Sequence, residues 1–182
     1  MKIGIIVGSV REGRRGASAG AWVQAQAQGR AGFDYEIVDL KSFDVPVYTA
    51  SVLPMAGKKK YDDPRVQAWS DAVDAHDAYI FVTPEYNHGV PGAFKNAIDS
   101  LGSELVGKAV AFVSYGAEGG VRSVEQWRQI VANFQMVGVR QQVSLSIFTE
   151  FDDEVCTPGP RRPDDLAVLF DQLEAMATKL AG

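Results

Sequence analysis

Short apolar runs alternate with amphipathic stretches along most of the chain, and no segment repeats. KIGIIVGS (Lys2–Ser9) is apolar nearly throughout, the pattern of a parallel strand covered on both faces. A helix is expected from about Gly16 to Gln28, carrying Ala19, Trp22, Val23 and Ala27, and YEIVDL (Tyr35–Leu40) reads as the second strand. From Lys41 to Asp63 the period fails and Pro46 and Pro54 intervene; a connection of that length is either functional or loosely held. Pro64 suits the first position of a helix capped by Asp62 or Asp63, with Val66, Trp69 and Val73 as its apolar stripe. AYIFVTPEYN (Ala78–Asn87) is a third strand that breaks off abruptly. Phe94, Ala97, Ile98 and Leu101 recur at helical spacing and predict a helix over Pro91–Leu101, closed by Gly102.

KAVAFVSYG (Lys108–Gly116) is a fourth strand, followed by a helix whose Val124, Trp127, Val131 and Phe134 face inward. VSLSIF (Val143–Phe148) alternates apolar residues with serines, as a half-exposed edge strand does, and Leu166, Leu169, Phe170, Leu173 and Leu180 mark a closing helix. Five strands alternating with five helices imply an α/β sandwich of three layers, a parallel sheet with helices on both faces, in one domain over residues 1–182. Right-handed crossovers and an edge-like fifth strand fit the flavodoxin-type order 2-1-3-4-5. In such sheets ligands bind beyond the carboxyl ends of the strands, where the order reverses, which points to the loops after strands 1, 3 and 4.

Composition removes several classes of partner. Hydrophobic residues at 46% and charged residues at 23% describe an ordinary globular chain. A net charge of −5 with no basic stripe argues against nucleic acid. No apolar run approaches the ~20 residues of a membrane span. Met1 and Lys2 lead straight into a strand-like run without a signal-peptide pattern, so a cytoplasmic location is the expectation. The one cysteine, Cys156, has no disulfide partner, and His76 and His88 form no ligand cluster with it in sequence, so no metal is expected.

GSVREGRRGAS (Gly8–Ser18) turns from the first strand into a helix N-terminus, whose free amides and dipole favour an anion. Ser9 adds a hydroxyl, and Arg11, Arg14 and Arg15 add charged donors suited to phosphate oxygens. Gly8 and Gly13 have the spacing of a P-loop, but Arg14 and Arg15 replace its lysine and its magnesium-binding hydroxyl; Val10 breaks the GxGxxG fingerprint. What remains is a site for a terminal phosphate without metal. Beyond the third strand, PEYN offers main-chain groups that read the rim of a flat heterocycle, and glycines in SYGAEGG (Ser114–Gly120) allow close approach to a ring.

The GSxR loop, the PEYN turn with its PGAFKNAIDSL helix, and the SYGxxGG loop together resemble the NADPH-dependent FMN reductase family, over about Lys2 to Ile147. That family has the flavodoxin-like fold and includes quinone, azo-dye and chromate reductases. The resemblance implies FMN as cofactor and NADPH or NADH as electron donor. A hydride would pass from nicotinamide C4 to flavin N5, and electrons would go on to a quinone or other small acceptor in a ping-pong cycle. It implies that Ser9 and Arg11 hold the FMN phosphate, with Arg14, Arg15, Gly16 and Ala17 sharing the remaining contacts in proportions left open. Many members carry a small polar residue at the position of Arg14 and an asparagine at that of Gly16, so this chain resembles an arginine-containing branch. Pro84, Glu85, Tyr86 and Asn87 would border the isoalloxazine, largely through main chain, and Ser114, Tyr115, Gly116, Gly119 and Gly120 would lie beside its pyrimidine end. No catalytic side chain is implied, because the hydride step needs no acid or base. The family likeness also implies a homodimer, with pairing into tetramers left open. The Pro91–Leu101 helix would lie near the interface, and the partner would complete the FMN site. Two other readings stay open: a flavodoxin-like electron carrier, against which the arginine-bearing loop speaks, and a flavin-binding module without turnover.

Overall fold

A computed structural model describes all residues, 1–182. In chain order the elements are β1 (Lys2–Val7), α1 (Gly16–Gln26), β2 (Asp34–Asp39), α2 (Pro54–Gly57), α3 (Pro64–Asp74), β3 (Ala78–Pro84), α4 (Gly92–Asp99), β4 (Ala109–Gly116), α5 (Val121–Ala132), β5 (Val137–Ser146), β6 (Phe151–Asp152), β7 (Val155–Cys156) and α6 (Arg162–Ala181). The first five strands form one parallel sheet in the order β2-β1-β3-β4-β5. No helix is long and apolar enough to cross a membrane.

The two-residue period of each strand divides the core. Ile3, Ile5, Ile80, Val82, Ala111 and Val113 face α1 and α6, where they meet Ala19, Val23, Leu169 and Phe170. Ile6, Phe81, Val110 and Phe112 face the other way, onto Trp69, Phe94, Ile98 and Trp127 of α3, α4 and α5. Phe81, Phe94 and Trp127 interlock with centroids 4.6–5.4 Å apart, the range in which tilted and edge-to-face pairs are favourable. Two indole N–H bonds fix this layer: Trp69 donates to the Ala97 carbonyl (2.8 Å) and Trp127 to Thr83 Oγ1 (3.0 Å), at the end of β3.

The connection from residue 43 to residue 63 lies as a strap across α3 and α4. Asn96 holds it from below, donating to the Pro46 carbonyl and accepting from the Tyr48 amide, both at 2.8 Å. Its far end is tied by Tyr61, whose hydroxyl donates to the buried Glu104 carboxylate (2.6 Å); Ser70 and the Gly102 amide donate to the same group. Within the strap the one-turn helix α2 ends at Lys58 in a left-handed conformation. Asp63 is the cap of α3 and Pro64 its first residue. β5 begins at Val137, six residues before the alternation of Val143–Phe148 starts. The Arg140, Gln141 and Gln142 side chains interrupt the apolar pattern there, and the ladder with β4 shifts register between Val110 and Phe112. The hairpin β6–β7, with Asp153 in the left-handed region, has no glycine to announce it.

Candidate functional site

The carboxyl ends of β1, β3 and β4 are neighbours in the sheet, and main-chain bonds hold the loops beyond them side by side. The Gly8 amide donates to the Val82 carbonyl (3.0 Å), the Glu85 amide to the Tyr115 carbonyl (2.9 Å) and the Ile147 amide to the Gly116 carbonyl (3.0 Å). Gly8 sits so close to α4 that a methyl group there would overlap the Phe94 ring. This is the switch point at which the chain crosses from the β2 side of β1 to the β3 side.

In the first loop, no main-chain N–H from Ser9 to Ser18 donates a hydrogen bond within the chain. α1 opens without a side-chain cap, its N-cap being Arg15 in helical conformation. Ser9 and Gly16 are nevertheless buried, and a buried amide without a partner is costly unless something outside the chain accepts from it. Two buried hydroxyls are unpartnered in the same place. Ser9 Oγ and the Tyr115 hydroxyl, in residues 1% and 5% exposed, make no hydrogen bond. A methyl group on Gly16 would overlap Ser9 Oγ and come within 2.7 Å of the Tyr115 oxygen, so the absent side chain leaves both hydroxyls a free approach. Orphaned amides, an uncapped helix dipole and inward hydroxyls are the makings of an anion seat.

The three arginines have different partners. Arg14 grips Asp39 at the end of β2 with two bonds of 2.5 Å and donates to the Ser9 carbonyl (2.8 Å), so it braces the loop. Arg15 donates to the Asp153 carbonyl (2.7 Å) and lies over the Phe151 ring at 5.8 Å, facing the β6–β7 hairpin. Arg11 is exposed and touches only its own loop, donating to the Gly13 carbonyl at 3.1 Å. The hairpin also braces α1, where the Cys156 amide donates to Ser18 Oγ (2.8 Å). Burial pushes the Cys156 thiol up to about 12, which leaves it a packing group and no nucleophile.

Beyond β3, Tyr86 and Gly89 exchange two main-chain bonds (3.1 and 3.0 Å) across Asn87 and His88. Asn87 and His88 have φ of 50° and 65°, the two left-handed residues of a type I′ turn. α5 bolts this turn down. Glu85 accepts from the Arg122 amide (3.0 Å) and Nε (2.6 Å), and Gln126 accepts from the Val90 amide and donates to the His88 carbonyl, both at 3.1 Å. The Glu85 carboxylate is thereby a brace for the turn, while Tyr86, Asn87 and His88 stay exposed at its tip. The wall after β4 is drawn in by Ser114, whose hydroxyl donates to the Gly119 carbonyl (2.7 Å). Gly120 has φ of 77°, a conformation that suits glycine, and its missing Cβ avoids that of Ser114. Pro84 and Gly116 stand at the ends of β3 and β4 between these loops, and Ala17 is the exposed second residue of α1.

The bracing set of Asp39, Asp153, Arg122 and Gln126 is what sequence reasoning does not reach, because each lies far along the chain from the loop it serves. A separate cavity of about 430 Å³ lies beneath the strap, among Val47, Tyr48, Leu53, Tyr61, Val66 and Ser100.

The family model for NADPH-dependent FMN reductase matches residues 1–150. An NAD(P)H-dependent FMN reductase of Nectria sp is 40% identical over 129 residues, 69% of this chain and 64% of that protein. A quinone reductase of Escherichia coli strain K12 is 38% identical over 94 residues, 48% of each chain. The chain thus spans just under two thirds of the first relative's length and about half of the second's. Among solved structures, FerB, a flavoenzyme NAD(P)H:(acceptor) oxidoreductase from Paracoccus denitrificans, superposes with a TM-score of 0.69 at 20% identity, over 99% of this chain and 97% of that one.

Proposed function

The chain belongs to the NADPH-dependent FMN reductase family, and from that premise we propose that it is an FMN-containing oxidoreductase that takes electrons from NAD(P)H and passes them to quinone-like or other small acceptors. The observation that carries this reading is the anion seat at the start of α1, with its unpaired amides and its buried, unpartnered Ser9 and Tyr115 hydroxyls. A flavin phosphate fits what those groups lack, since it offers oxygen acceptors to amide and hydroxyl donors alike.

Ser9, the Gly16 and Ala17 amides and Arg11 would hold the phosphate. Arg14 keeps the loop in shape through Asp39 and the Ser9 carbonyl, and Arg15 anchors it to the hairpin. Pro84, Tyr86 and Asn87 would border the ring system, on a turn made rigid by Glu85 and Gln126, with Gly116–Gly120 as the opposing wall. FMN held there would supply the redox chemistry that links the nicotinamide donor to the acceptor. The chain contributes binding, orientation and a fixed electrostatic frame, and no side chain is assigned as acid or base. We further propose a homodimer in which the partner completes the FMN site.

The test is direct. The purified chain, mixed with FMN and freed of unbound flavin, should retain flavin absorbance and consume NADPH or NADH when a quinone is supplied. Bound flavin without nicotinamide consumption by any quinone would leave a carrier or binding module in place of the enzyme.

A further inference from the structure

The period of β4 puts Tyr115 in an unusual position. Ala109, Ala111 and Val113 point to the α1–α6 face, and Tyr115, next in that row, lies at the strand end, beneath the N-terminus of α1. Its ring packs at 5.7 Å from Phe151 in the hairpin, which fixes the direction of the hydroxyl. The main chain of Tyr115 belongs to the wall after β4, but its oxygen reaches the first loop, beside Ser9 Oγ and the bare Cα of Gly16. Both hydroxyls are buried and neither has a partner, whereas other buried hydroxyls near the sheet are satisfied: Tyr79 donates to the Val73 carbonyl, and Ser114 to that of Gly119. A buried hydroxyl left unpaired is destabilising, and the arrangement has two of them converging on one point.

We propose that Tyr115 and Ser9 together form the floor of the phosphate seat, and that this pair of hydroxyls makes the site select a flavin carrying a phosphomonoester over the same ring system without one. The inference rests on the reading above that a flavin phosphate occupies the first loop. Burial holds the Tyr115 phenol well above its ordinary range, which keeps the proton on the hydroxyl and makes it a donor at neutral pH. With Arg14 and Arg15 engaged elsewhere, discrimination falls to neutral donors and helix amides plus the exposed guanidinium of Arg11. The Tyr115 hydroxyl thus links the loop after β4 to the phosphate-binding end of the same ligand.

Titration of the flavin-free chain with FMN and with riboflavin, read by quenching of flavin fluorescence, tests this. Wild type should bind FMN more tightly than riboflavin. Tyr115→Phe keeps the ring and removes one oxygen; it should weaken FMN binding about tenfold to a hundredfold, the range for a hydrogen bond to a charged acceptor, and leave riboflavin binding unchanged. Ser9→Ala should act in the same direction, so the inference remains testable should Tyr115→Phe fold poorly. Equal loss of both ligands, or no loss of either, in variants with native near-ultraviolet dichroism would overturn the role of the hydroxyls while leaving the flavin site standing. Wild type that binds riboflavin as tightly as FMN would instead overturn the placement of the phosphate in this loop, and the inference with it.

Discussion

Arg11, Arg14 and Arg15 lie within one turn of chain, yet the structure gives them separate duties: one is exposed, one is paired with Asp39 and one reaches the hairpin. Their substitutions should therefore separate binding from stability. Arg11→Ala should weaken FMN retention by about 1.5–3 kcal/mol, the loss of one hydrogen bond to a charged group, and leave unfolding unaltered. Arg14→Ala removes both bonds to Asp39 and the bond to the Ser9 carbonyl, and leaves a half-buried carboxylate without its partner. It should lower folding stability by about 1–3 kcal/mol as well as loosening the loop. Parallel flavin titrations and urea unfolding of the two variants check the division; an Arg14→Ala protein as stable as wild type would show that Asp39 does not need its partner. None of this assignment is legible in the first loop itself. Three basic residues in a glycine-rich turn announce an anion site, but which of them is free depends on Asp39 and on Asp153, remote in sequence.

At the scale of elements, legibility followed the strength of the period. α3 and α4 carry regular apolar stripes and lie where the stripes predict, with Asp63 as cap and Pro64 as first residue of α3. β5 starts earlier than its pattern suggests, because Arg140 to Gln142 occupy the bulged stretch and their polar groups bond sideways to α5 and α6. The PEYN turn is legible as a turn that ends the third strand, but its type depends on a bond pattern set by the fold. His88, at φ 65°, bears the cost of a side chain in the left-handed region, about 1–2 kcal/mol. Since Gln126 grips its carbonyl and not its imidazole, His88→Gly should keep the clamp. Offset by the greater freedom of glycine in the unfolded chain, the net gain should be about 0.5–1 kcal/mol in thermal or urea unfolding. A loss of stability would mean that the imidazole makes a contact of its own. The cap of α3 carries a pH dependence. Arg65, through its guanidinium and its amide, holds the Asp63 carboxyl down at about 2. A carboxyl whose folded value lies below its unfolded one stabilises the fold above the unfolded value, near about 4, and loses that contribution as pH falls toward about 2. Asp63→Asn retains a capping oxygen without the charge, so its thermal midpoint should fall less than that of wild type across this interval. Identical acid profiles would place the acid sensitivity elsewhere.

At the scale of the whole molecule, the strap presents apolar side chains that the core does not use. Along the strap, Val47, Val52, Leu53 and Met55 are 78%, 58%, 68% and 52% exposed, and the first three line the cavity over α3 and α4. Asn96 ties this strap to α4, the helix that the family likeness leads one to expect near a dimer interface. We propose that this is the face the homodimer covers. A two-fold interface uses each residue twice, and burying a leucine side chain is worth about 1.5–3 kcal/mol, so a charge at one position is felt doubly in association. Light scattering at micromolar concentration should give twice the chain mass for wild type and the chain mass for Val52→Asp/Leu53→Asp, whose exposed positions leave the monomer fold intact. If the partner completes the flavin site, FMN affinity should fall in the same variant although neither residue belongs to the phosphate loop. A wild-type protein that runs as a monomer would refute the dimer, and a charged variant that stays dimeric would move the interface to another face.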